Sequence, residues 1–88
     1  MNAQEKVLEY ASENNSGDTY TDQQLAGKMF AEGATISRNG NTRVEAKISR
    51  EGQEIVITET TINTNWFNTK TNRAEEKAET VEVMRFSI

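Results

Sequence analysis

The side chains able to do chemistry are few in this chain, and their spacing does little with them. It contains no histidine and no cysteine, which removes imidazole acid–base catalysis, thiolate nucleophiles, disulfides and Cys/His zinc sites together. Asp18 and Asp22 are the only aspartates. As paired carboxylates they suit a hard cation, but no third ligand is placed nearby, and Asp22 fits the first turn of a helix, where negative charge meets the positive end of the dipole. Glu51, Glu54 and Glu59 decorate a strand-forming stretch, while Glu75 and Glu76 fall in a polar run that reads as a solvated loop. The five glycines are scattered and form no phosphate-cradling loop. No catalytic residue, metal or cofactor is expected, and the chain reads as a non-enzyme.

Binding chemistry remains. Arg38, Arg43, Lys47 and Arg50 face only Glu45 and Glu51 within residues 34–53. Trp66 or Phe67 has the flat apolar surface on which a base can stack, with Lys70 and Arg73 nearby to meet phosphates. This supports a nucleic-acid interface at Arg38, Arg43, Lys47, Arg50 and Trp66 as the alternative reading. The net charge of −4 opposes it, and the single Trp of a small domain more often anchors the core. At the other end, Thr80 to Ile88 reads as a final strand, with Val81 and Val83 pointing one way and Met84, Phe86 and Ile88 the other. A strand with apolar groups on both faces is either bulged within the sheet or uses one face against a partner, and at a sheet edge it can pair with another chain. Met84, Phe86 and Ile88 are therefore the expected partner-binding residues.

The elements that position these groups are legible in part. Thr42 to Ile62 is the organising stretch. Val44, Ala46 and Ile48 alternate with charged and polar residues, Gly52 can turn the chain, and Ile55, Val56 and Ile57 follow in succession. That second, consecutive run predicts a central strand, covered on both faces or bulged. Ala34 to Arg38 is a further short strand, ending at Asn39-Gly40, a hairpin signal.

Two helices precede the strands. Ala3, Val7, Leu8, Tyr10 and Ala11 form one stripe over residues 3–14. In Tyr20 to Gly33, Thr21 and Gln24 make a capping box, Tyr20 and Leu25 occupy the staple positions, and Gly33 sits where a C-terminal glycine ends a helix. Leu25, Ala26, Met29 and Phe30 are its expected buried side, and Gly27 suggests close approach of another backbone. A winged helix-turn-helix would need a turn glycine soon after Leu25-Ala26 and then a recognition helix. Here the pattern runs on to Gly33 and then alternates like a strand. In the polar stretch 63–80, Trp66 and Phe67 either continue the strand from Ile62 or cap the core, Lys70 to Arg73 read as an exposed loop tip, and Ala74 to Ala78 as a helical turn or a mobile segment of a long hairpin loop.

The expected architecture is thus α+β: two N-terminal helices packed on a three- or four-stranded antiparallel β-meander, within one domain spanning residues 1–88. With 34% hydrophobic residues the core is modest. No run approaches the ~20 apolar residues of a membrane span, and MNAQEKVLEY lacks a signal-peptide core. The Asn14-Asn15-Ser16 sequon reads as a chance match, and a cytoplasmic location is expected. Residues 1–33 hold two lysines against six acids, so the helical end is acidic and the first strands basic. Together these features predict a small protein-binding regulator, adaptor or inhibitor of a larger assembly, of the kind a phage or mobile element encodes. Pairing of the final strand with its own copy, giving a homo-oligomer, is a further expectation.

Overall fold

The computed structural model describes residues 2–14 and 20–88. Two helices, α1 (Ala3–Glu13) and α2 (Asp22–Ala31), precede four strands: β1 (Ala34–Asn39), β2 (Thr42–Glu51), β3 (Glu54–Asn68) and β4 (Arg73–Ser87). The strands form one antiparallel sheet in the order β1-β2-β3-β4. The fold is the α+β arrangement expected, with a fourth strand.

Capping sets the helix starts. The Thr21 hydroxyl accepts from the Gln24 N–H (3.3 Å), and the Gln24 side chain accepts from the Thr21 N–H (3.1 Å). Asn2 and Glu5 make the same reciprocal pair at α1, satisfying donors that the first helical turn leaves orphaned. Leu25, Ala26 and Met29 are buried, but Phe30 is 48% exposed. At 100° per residue Phe30 lies well to one side of the Leu25–Met29 direction, so it flanks the buried stripe. Tyr20 also stays on the surface, its ring 5.0 Å from the Lys28 ammonium. No backbone approaches Gly27: a Cβ there would meet nothing within 4 Å.

The continuous β2–β3 register gives each sheet face its residues. Ala46, Ile48, Ile55 and Ile57 turn toward the helices, with Ile48 opposite Ile57. They join Tyr10, Leu25, Met29, Ile36 and Phe86 in the core. Val56 points the other way, between Ser49 and Arg85, yet is only 2% exposed. The Arg85 stem beside it can shield it while the guanidinium stays in water, tied to Glu82, Glu51 and Glu54 at 2.6, 3.2 and 3.2 Å. Gly40 and Gly52 close the first two hairpins in left-handed conformations (φ 59° each), which a side chain would disfavour.

The polar run at 63–80 is not a long loop, and of the two readings of Trp66 and Phe67 the continuation of the strand from Ile62 is the one found. β3 continues to Asn68 and β4 starts at Arg73, leaving only a short turn in which Asn72 takes φ 58°. Ala74 to Ala78 is strand, and Glu75 and Glu76 lie on β4, not in a loop. Threonine suits strands whether or not its neighbours are apolar, and cross-strand contacts such as Thr60 Oγ1 to Thr80 Oγ1 (2.9 Å) replace hydrophobic pairing. Among the described residues there is no third helix, so the winged helix-turn-helix pattern is absent.

Because Gly27 is exposed with open space around it, Gly27→Ala should raise stability by about 0.5–1 kcal/mol through helix propensity alone. A urea titration reporting an unchanged or lower midpoint would show that the glycine is needed for something else.

Candidate functional site

β4 is an edge strand. The Ile88 N–H donates to the Gln53 carbonyl (2.9 Å), which sets the alternation along this end of the strand. Met84, Phe86 and Ile88 aim their N–H groups at β3, while Arg85 and Ser87 aim theirs away from the sheet. The register also corrects the expected facing of the side chains. Met84 pairs with Ile57, but Glu82 pairs with Thr58, so Val83 is the extra residue of a bulge. Val81, Met84, Phe86 and Ile88 consequently share the helix-side face, where simple alternation had put Val81 opposite the other three.

Above that face runs α1. The Lys6 ammonium lies 5.0 Å from the Phe86 ring centroid. One turn later the Tyr10 hydroxyl donates to the Glu59 carboxylate at 2.5 Å, and Glu59 is the cross-strand partner of Val81. The helix therefore passes from the Phe86 level toward the Val81 level. Between helix and edge lies a groove of about 340 Å³, lined by Lys6, Glu9, Tyr10, Glu13, Met84, Arg85 and Phe86. The four α1 residues fall at i, i+3, i+4 and i+7, one side of the helix.

The three expected partner-binding residues differ in role. Phe86 is 9% exposed and belongs to the core, so it forms a fixed wall. Met84, at 38%, offers its flexible thioether side chain to the groove. Ile88 is more open still and does not line the groove. Tyr10 and the acidic residues Glu9 and Glu13 complete it, and only the packing of α1 over β4 brings them there.

The alternative set is divided between two faces. Arg38 pairs with Arg43 across β1 and β2, and Lys47 lies on the same helix-free side. Arg43 is held by Glu45 at 3.2 Å. Arg50, opposite Ile55, takes the other parity and donates to the Gly52 carbonyl (3.1 Å). Trp66 is also on the helix side, half-buried outside the core, in a hollow of about 210 Å³ with Thr61, Asn63, Lys77 and Glu79. Its ring lies 5.2 Å from the Lys77 ammonium. Among the described residues no cluster of three or more acidic side chains is arranged for a metal. Asp18 and most of the Asn14-Asn15-Ser16 sequon lie outside the described residues. Among those residues, no helix is long and apolar enough to cross a membrane.

The Tyr10 hydroxyl is held above its ordinary pKa, chiefly by burial, then by its hydrogen bond to Glu59 and by that carboxylate's charge. The folded-state value lies above that of the unfolded chain. Its contribution is therefore complete below the ordinary tyrosine value of about 10 and is lost as pH rises beyond it. Tyr10→Phe should cost about 1–3 kcal/mol near neutral pH and should remove part of the alkaline destabilisation. Urea midpoints for both proteins at about pH 7 and about pH 11 check this; equal alkaline losses would exclude Tyr10 as the cause.

Comparison with known proteins supplies no relative: no protein-family model, curated protein or solved structure matches this chain.

Proposed function

We propose that this chain is a non-enzymatic protein-binding module, a small regulator, adaptor or inhibitor, that takes an extended segment of its partner onto β4. One observation carries the reading: an open sheet edge runs beside a preformed groove whose floor is apolar. An added strand would gain main-chain hydrogen bonds from the outward groups of Arg85 and Ser87. Its alternate side chains would drop between α1 and β4, against Met84 and Phe86. The groove exists before binding, so little ordering of this chain is needed.

The nucleic-acid reading draws on the Arg38–Arg43 pair and Lys47. It is weakened by the Glu45 partner of Arg43 and by the position of Trp66 on the other face. Oligonucleotide anisotropy that falls steeply with salt and is lost in an Arg38/Lys47 double variant would favour it instead.

Two substitutions test strand addition. Met84→Asp puts a charge on the groove floor at a part-exposed position. Ser87→Pro removes an outward N–H without breaking the β3–β4 ladder. Phe86→Asp is unsuitable, because a buried charge in the core would unfold the protein. Both variants should keep the wild-type circular dichroism spectrum and lose, by about tenfold or more in affinity, the proteins captured by wild type. Capture unchanged in both variants would remove β4 as the binding surface.

A further inference from the structure

We infer that the partner segment is basic: an extended strand that sets apolar side chains against Phe86 and Met84 and a Lys or Arg two residues further on, at the Val81 level. This rests on the strand-addition reading and specifies its partner. Three features of the groove lead to it.

The first is an ordered change of chemistry along the groove. At the Phe86 end the Lys6 ammonium lies over the aromatic ring, so a second cation there would be repelled. Toward the Val81 end, α1 presents Glu9 and then Glu13. Neither forms a salt bridge among the described residues, whereas the acidic groups around Arg85 on the opposite face are engaged with it. The groove thus carries unneutralised negative charge at one end only.

The second lies just past the residues that line the groove, on the same helix-side face. Val81 is 56% exposed on the helix-side face, beyond Met84. A Lys or Arg of an added strand can lay its methylene stem along Val81 and carry its charge up toward Glu9 and Glu13. A short apolar side chain would cover Val81 but leave the carboxylates unpaired, and an acidic one would face like charge.

The third is spacing. Helix-side positions recur every second residue of an added strand. One side chain falls at the Phe86 level, the next at the Met84 level and the next near Val81, with the bulge at Val83 shifting the last by a fraction of a residue. The intervening side chains lie on the far face beside Arg85 and Glu82. The recognised pattern is apolar-x-apolar-x-basic, read toward the Val81 end.

Two blocked heptapeptides, TITITKT and TKTITIT, place the lysine correctly for the two possible strand directions. Each is titrated into the ¹⁵N-labelled protein alongside versions with glutamate or methionine in place of lysine. One lysine peptide should shift the Arg85 and Ser87 amides, and its glutamate version should bind about tenfold more weakly. A Glu9→Gln/Glu13→Gln variant should bring the two within about threefold. Equal or tighter binding of the glutamate peptide, with sensitivity to Met84→Asp retained, would overturn the charge preference and leave strand addition standing. No shift with any peptide at millimolar concentration, or shifts away from β4, would overturn both. A dimer seen by sedimentation and dissolved by Ser87→Pro would identify the occupant of the edge as a second copy, against this inference.

Discussion

The pairing of Ile48 with Ile57 is the contact from which the rest of the molecule follows. Both side chains are fully excluded from water, directly opposite one another on adjacent inner strands, beneath the helices. Their burial orients β2 and β3, and a one-residue slip would send every apolar side chain of either strand to the wrong face. With the register set, Ala46 and Ile55 also turn toward Leu25 and Met29. The sheet is covered on one side only, so nearly all of a small apolar inventory is concentrated there.

That economy explains the opposite face. It is built from Arg43, Lys47, Thr58, Thr60, Thr80, Glu82 and Arg85, with Val56 and Ile62 as the buried apolar residues. Such a face holds its shape by cross-strand hydrogen bonds and ion pairs, which contribute little individually at the surface. Arg85 does more because it joins three carboxylates at once, Glu51 and Glu54 at the β2–β3 turn and Glu82 on its own strand, and lies beside Val56. The same edge strand is protected against indiscriminate pairing by the charged residues along it and the bulge at Val83, both of which discourage a flat sheet from extending. The outward main-chain groups of Arg85 and Ser87 remain open to pairing.

The position of α1 decides whether there is a groove at all. Its only polar tie to the sheet among the described side-chain bonds is Tyr10 to Glu59, supported by the Lys6–Phe86 contact. A charge-assisted bond shielded from water is worth more than an exposed one. α1 packs chiefly against α2, and the Tyr10–Glu59 bond ties it to β3 beside β4. Farther out, the β3–β4 hairpin extends past the end of β2 and is stiffened at its tip by Asn68 and Thr71, which donate to Glu75 (2.8 and 2.9 Å). Those two bonds also hold the Glu75 carboxyl below its ordinary pKa.

The sequence by itself determined what depends on near neighbours. The Thr21–Gln24 capping box, the end of α2 at Gly33, the Asn39-Gly40 and Gly52 turns and the alternation of β2 all follow from bonds within a few residues. It identified Met84 and Phe86 as one face of a final strand for the same reason. Tertiary structure decided the rest. Residues 63–80 carry no apolar periodicity, because their strand state comes from pairing with each other across a hairpin. The change of parity between Val83 and Met84 allows a bulge, but only pairing with β3 places it at Val83 and moves Val81 onto the face of Met84. Trp66 and Arg43 sit close in sequence to the same hairpin, but strand parity and a second bulge place them on opposite faces. Glu9 and Glu13 stay exposed, but only the position of α1 beside β4 makes them line a groove with Met84 and Phe86. Side-chain facing depends on register, and register is a property of two strands together.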